Sequence, residues 1–157
     1  MQTELLKHVY LFRDLSMKEL VSVLKICRQR QYAEGKILFA EGDPGDVCYI
    51  IETGEVRISK FVPGMGEEAL KVLKQGDYFG EMALLDGVPR SATAIVNKDA
   101  TCLVIYKADL DKLMTGDKEL ANKILFVFCL TLSARLREAN EKMSNFIAMT
   151  AGFGGPR

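Results

Sequence analysis

The chain has 157 residues with 21 Lys plus Arg against 21 Asp plus Glu, so no net charge draws it onto nucleic acid or an anionic membrane. Its 48% hydrophobic and 27% charged residues are those of an ordinary globular chain, long enough to bury about two-thirds of the surface its unfolded form exposes. Charges interrupt "MQTELLKHVYLFRDLSMKEL", which excludes the apolar core of a secretory signal, and no apolar run reaches the roughly 18 residues of a membrane span. The cytoplasm is the expected compartment. Cys27, Cys48, Cys102 and Cys129 lie far apart without a CxxC pair or a neighbouring histidine, so they are expected as buried thiols in a reducing compartment, with no metal site.

Along the chain, the first clear helix starts at Ser16, where "SMKE" forms a capping box with Glu19 and Leu15 and Leu20 can make a hydrophobic staple. Leu20, Val23, Leu24 and Cys27 share one face of this brace helix. The N-terminal helical part is taken as residues 1–28. Over 29–107, short β-branched and aromatic stretches alternate with turn signals such as "AEGK", "EGDPGD", "ETGE", "KQGD" and "NKDA". That texture predicts a mainly β, antiparallel sandwich or barrel. "VCYIIETGEVRIS" reads as a hairpin turning at Thr53-Gly54, and "FVPGMGEE" as a longer, mobile loop.

Helical periodicity returns over 108–150, first in "ADLDKLM" and then from Lys118 to near Met149. In the long stretch Leu125, Cys129, Leu132, Leu136, Ala139, Met143, Phe146 and Thr150 recur at alternating gaps of four and three, a heptad seam that favours a homodimer over a helix packed on its own β-domain. The tail, 151–157, is short and Gly-rich, and nothing folded is expected after it. The whole is expected to be one domain.

The chemistry concentrates in residues 79–94, "FGEMALLDGVPRSATA". The run reads as a strand ending at Gly80, one helical turn over "EMALL", a Gly-Val-Pro break and a new strand from Arg90. Gly80 permits close approach of backbone to ligand, and the amides of Glu81, Met82 and Ala83 at the start of the turn form an anion site. Arg90 can close on the same anion through charge-assisted hydrogen bonds. Glu81 cannot contact phosphate, but it can accept from a neighbouring hydroxyl such as a ribose bears. These residues together suggest a nucleotide.

The segment resembles the phosphate-binding cassette of the cyclic nucleotide-binding domain family, standing as Phe79-Gly80-Glu81-Met82-Ala83-Leu84-Leu85 followed by Pro89-Arg90-Ser91-Ala92-Thr93. The likeness extends over almost the whole chain, with "LFRDLSMKEL" resembling the family's helical entry. It implies an antiparallel β-roll, jelly-roll-like, with an N-terminal helix and a long C-terminal dimerisation helix, the cassette being residues 79–93. It also implies that Arg90 pairs with the cyclic phosphate, that Glu81 accepts from the ribose 2′-OH, and that amides near Met82, Ala83 and Ala92 complete the cradle. Ile58, Leu70 and Leu73 match positions that line base and sugar in bacterial catabolite activator proteins, which share Ser91 after the arginine. That serine favours cAMP over cGMP.

In those relatives the C-terminal helix presents polar residues to the adenine. The alignment puts Ala139 and Asn140 there, with Ala139 departing from the usual hydroxyl, while Arg135 flanks the seam and can stack on the base. The reading is therefore a cyclic nucleotide sensor without cofactor or metal, not an enzyme, dimerising through Leu125, Leu132, Leu136, Ala139, Met143 and Phe146 and acting through an unidentified effector protein. Direct DNA or membrane binding is not expected. The alternatives are the sensor part of a catabolite activator-type transcription regulator and a binder of cGMP or a cyclic dinucleotide. Catalysis would need metal ligands or a general base, and the only histidine is His8.

Overall fold

A computed structural model describes residues 2–152. The end of the Gly-rich tail, 153–157, lies outside the described residues. Within the N-terminal helical part, a helix precedes the one at Ser16: α1 (Gln2–His8), followed by a 3-10 turn at Tyr10–Phe12. Leu6, Leu11 and Phe12 are buried in one core with α2 (Met17–Ile26) and residues of the sheet. The capping box of α2 is formed: Glu19 Oε2 accepts from the Ser16 N–H at 2.7 Å, and Ser16 Oγ accepts from the Glu19 N–H at 3.3 Å. Leu15 and Leu20 flank it in the same core.

The sheet is antiparallel throughout: β1 (Arg28–Tyr32), β2 (Ile37–Phe39), β3 (Val47–Val62), β4 (Gly66–Leu73), β5 (Tyr78–Phe79) and β6 (Thr93–Tyr106). Its order is β1-β6-β3-β4, with β2 also on β6 and β5 also on β3. This is the β-roll, and its spine is the long pair β3 and β6, which pair from Val47↔Tyr106 to Ser59↔Thr93. Tyr49, Ile51, Val56, Leu73, Phe79, Val96 and Cys102 fill its interior.

Two local expectations are corrected. Thr53-Gly54 is not a hairpin turn, because β3 runs through it and pairs with β6 on both sides, with register shifts at Ile51/Thr53 and Thr53/Glu55. Gly54 has φ +89° and a Cβ on it would stand 2.3 Å from the Asp99 carbonyl oxygen, so the glycine serves a bulge that bends the strand. The real hairpin is β3–β4, closed by Pro63–Met65 with the Met65 N–H donating to the Val62 carbonyl at 3.0 Å. "FVPGMGEE" is thus a short turn and not a long loop.

After β6 come α4 (Lys107–Gly116) and α5 (Lys118–Ala151), the latter 34 residues and about 51 Å long. Asp117 Oδ1 caps α5 by accepting from the Leu120 N–H at 3.0 Å. Leu120, Ala121, Ile124, Val127 and Phe128 bury its first turns against α1, α2 and the sheet, while every residue from Leu132 to Gly152 is exposed. The cysteine expectation divides accordingly. Cys48 and Cys102 are buried and Cys27 half-buried, but Cys129 is exposed on α5. Burial pushes the Cys27 and Cys102 thiols up to about 12. Among the described residues, no helix is long and apolar enough to cross a membrane.

Candidate functional site

A cleft of about 320 Å³ opens where β5, α3 (Met82–Asp86) and the start of β6 meet the β3–β4 edge and α5. Its floor depends on Gly80. The residue has φ +77°, and a Cβ there would lie 2.7 Å from Arg90 Nη1 and 2.8 Å from the Val47 carbonyl oxygen, so only glycine lets the arginine lie across the backbone. α3 is one short turn ended by Gly87 in the left-handed region, after which the chain returns to Arg90. There the backbone is fixed by the Arg90 N–H donating to Asp43 O at 2.9 Å and the Gly42 N–H donating to Arg90 O at 2.8 Å.

Arg90 is 8% exposed. Its guanidinium donates from Nη1 to Gly80 O at 3.3 Å and from Nη2 to Val47 O at 2.6 Å. The guanidinium carbon sits 4.1 Å from the centre of the Phe39 ring. Nε is buried without a hydrogen-bond partner, and among the described residues no carboxylate lies within 4.0 Å of the group. Burial pulls its pKa below the usual arginine value. A buried cation held by two neutral carbonyls and a ring face lacks the counter-charge that such burial normally requires. Such an arrangement can take an anion.

Glu81 follows Gly80 and is 5% exposed. Its Oε1 lies 2.5 Å from Arg135 Nη2, so the long helix reaches into the cleft through an ion pair. Arg135 thus lines the cleft. Met82 and Ala83 begin α3, where the first N–H groups have no intrahelical acceptor. Ile58, Leu73, Ser91 and Ala92 also line the cleft.

Two expected residues do not. Leu70 is the residue skipped where the β3–β4 register shifts, since Ile58 pairs with Lys71 and Ser59 with Ala69, and it is 61% exposed. Lys71 lines the cleft in its place. Asn140 is exposed and outside the cleft, on a turn of α5 about 7.5 Å beyond Arg135 along the axis. Phe39, Tyr78 and Lys71 are cleft residues that the sequence reading missed. Lys71 was accessible to it, because strand alternation puts residue 71 on the same face as Leu73; Phe39 and Tyr78 carried no comparable signal.

The sequence profile of the cyclic nucleotide-binding domain matches residues 29–117. The chain belongs to the cyclic nucleotide-binding domain family. It is similar to the cyclic AMP receptor protein of Thermus thermophilus, with 34% identity over 130 residues, 83% of this chain and 58% of that protein. A cAMP-dependent protein kinase regulatory subunit of Hypocrea atroviridis is 32% identical over 73% of this chain and 24% of its own length. Among solved structures, the catabolite activator protein of Thermus thermophilus superposes with TM-score 0.78 at 31% identity, covering 87% of this chain and 62% of that one. A cyclic nucleotide-binding domain from Methylobacillus flagellatus gives TM-score 0.79 at 28% identity, covering 92% and 83%. The chain spans 58% and 62% of the length of two receptor-type relatives it matches.

Proposed function

We propose that the chain is a cytoplasmic sensor that binds a cyclic nucleotide, cAMP by preference, in the cleft around Arg90 and Glu81, and that the described residues act as one binding domain. The observation that carries this is the buried Arg90 guanidinium, whose Nε has no partner and which has no carboxylate within ion-pair distance among the described residues. A singly charged cyclic phosphate supplies the missing charge and acceptors. The amides of Met82, Ala83 and Ala92 complete the cradle beside Gly80, with Ser91 at its rim. Glu81 keeps one carboxylate oxygen for the ribose 2′-OH while the other holds Arg135. Ile58 and Leu73 offer apolar surface to the base.

The Glu81–Arg135 pair connects this chemistry to α5. A ligand that changes the hydrogen bonding of Glu81 alters what holds Arg135, and can shift the helix by as much as its affinities for the two arrangements differ. The exposed seam residues Leu125, Leu132, Leu136, Met143 and Phe146, with Ala139 between them, support a parallel homodimer through α5. No metal or cofactor enters this reading, and the output passes to an effector protein. A sensor segment of a catabolite activator-type transcription regulator is the second reading, supported by the share of such relatives that the chain spans.

Calorimetric titration with cAMP and cGMP, on wild type and Arg90→Ala, tests the site. Binding near one nucleotide per chain, weakened at least 100-fold by the substitution, is expected from losing two or more charge-assisted bonds of roughly 1.5–3 kcal/mol each. Wild-type protein that binds neither nucleotide overturns the reading. Exposed Cys129, at a seam position, gives a second readout: the yield of oxidative Cys129 crosslinks between chains should change with ligand, and an identical yield counts against a moving helix.

A further inference from the structure

A second cleft, of about 610 Å³, lies between α1, α2 and the strands β1 and β3, and shares no lining residue with the cleft around Arg90. The charged residue that lines it is Glu52. Glu52 is the residue that the β3–β6 ladder skips, since Ile51 pairs with Cys102 and Thr53 with Thr101, and a bulge of this kind re-aims a side chain. Its half-buried carboxylate is held by two neutral amides: Gln2 Nε2 donates to Oε1 at 3.1 Å and Gln29 Nε2 donates to Oε2 at 2.7 Å. No lysine, arginine or histidine lines the cleft, and Glu52 has no ion-pair partner among the described residues. The thiols of Cys27 and Cys102 feel its charge, but burial first and Glu52 second push both up to about 12, so they stay neutral and bring no counter-charge.

A carboxylate has about four lone-pair sites, and the two amides occupy one on each oxygen. Each oxygen can therefore accept once more. The glutamines that donate through nitrogen keep their carbonyl oxygens as further acceptors, and Thr3 and Thr53 bring hydroxyls to the same cleft. The space is thus negative and rich in acceptors, with Leu5 and Leu24 among its walls, and its volume is that of a small-molecule site. We propose that this cleft binds the cationic end of an alkylguanidine or alkylamine, with the Glu52 carboxylate as counter-charge and the alkyl stem on Leu5 and Leu24. A guanidinium suits it best, because its planar fork meets both carboxylate oxygens at once. The site does not depend on what the cleft around Arg90 binds.

Nuclear magnetic resonance titration of the isotope-labelled chain with n-butylguanidinium, n-butylamine and the neutral isostere n-butylurea tests the assignment. Both cations should shift the amide signals of Gln29, Glu52 and Thr53 and leave those from Gly80 to Ala92 in place. The guanidinium should bind more tightly than the amine and about tenfold or more above the urea. Glu52→Gln should weaken guanidinium binding by about tenfold or more, with cAMP affinity within about twofold of wild type. N-acetylarginine methylamide separates two sources of the group: binding tighter than that of n-butylguanidinium assigns the cleft to an arginine side chain carried on a peptide, and weaker binding assigns it to a free small cation. A urea that binds as tightly as the guanidinium, a guanidinium that shifts none of the three amides, or an unchanged affinity in Glu52→Gln overturns the site. The urea comparison uses wild type alone, so it decides even where Glu52→Gln does not fold. A wild type that takes n-butylguanidinium but no cyclic nucleotide overturns the nucleotide reading and leaves this site standing.

Discussion

The two halves of α5 make opposite contacts. From Lys118 to Phe128 the helix buries Leu120, Ala121, Ile124, Val127 and Phe128 against α1, α2 and the sheet, whereas from Leu132 onward it shows apolar side chains of the same kind to solvent: Leu132, Leu136, Met143, Phe146 and Ile147. One continuous helix thus has a proximal half whose stability comes from its own fold and a distal half whose apolar stripe has no intrachain surface to cover. An isolated helical extension of this length is marginal in water, and an exposed stripe of this kind marks an interaction surface. The Glu81–Arg135 ion pair lies at the junction of the two halves. On the reading proposed above, ligand at the cleft would act where the self-supported part of the helix ends.

The largest expected effect comes from truncating one residue in each half. Ile124 is fully buried, so Ile124→Ala should cost about 2–5 kcal/mol in denaturant unfolding. Leu136 is 63% exposed in the single chain, so Leu136→Ala should leave the unfolding of dilute, monomeric protein within about 0.5 kcal/mol and instead weaken self-association in sedimentation velocity. Equal destabilisation by the two substitutions would mean that the distal half folds back on its own chain, and the contrast drawn above would be lost.

What could be read from the sequence divides along a similar line. The cassette from Gly80 to Ala92 was legible because its parts are contiguous, so turn glycines, helical start and arginine stand in one string. The contacts that give the string its meaning come from far away: Phe39 beneath Arg90, the Val47 carbonyl on Nη2, and Arg135 on Glu81. Only tertiary packing brings these together. The heptad seam was visible as periodicity, but periodicity does not say that the helix leaves the body at Leu132. Gly54 looked like a turn because a bulge and a hairpin ask the same of glycine, a positive φ. Leu70 was misplaced because a likeness to relatives carries no information on a one-residue register shift, whereas the period-two rule applied back from Leu73 selects Lys71.

A smaller effect sharpens the role of the junction. Arg135→Met leaves the Glu81 carboxylate, 5% exposed, without its cation and beside an incoming phosphate. Burial magnifies that repulsion, so cyclic nucleotide should bind several-fold more weakly, with a fold-change near ten as the upper bound that one half-exposed partner allows. Tighter binding would show instead that Arg135 competes with the ribose for Glu81, and the ion pair would then be a contact that ligand displaces.

The smallest effect isolates how the proximal half is fastened. Glu19, at the start of α2, accepts from Lys123 Nζ of α5 at 2.9 Å and from the Ser16 N–H at 2.7 Å. Burial alone raises its carboxyl pKa, but the Lys123 ammonium and the Ser16 donors outweigh it and hold the pKa below the reference value of 4.5. A depressed folded-state pKa stabilises the fold above the unfolded value, and that contribution disappears as pH falls through the folded one. Glu19→Gln keeps the shape and removes the charge. Wild type should therefore melt above the variant at pH 7, by about 3 °C, and the gap should close as pH falls below 4.5. Glu4, Glu55, Glu67 and Glu138 also have lowered pKa values set by hydrogen bonds from lysine or arginine, but all four are present in both proteins and cancel in the difference. A gap that stays constant from pH 7 into the acid range would mean that α2 and α5 are joined by packing alone, with Leu20 and Ile124 rather than the ion pair fastening the helix to the body.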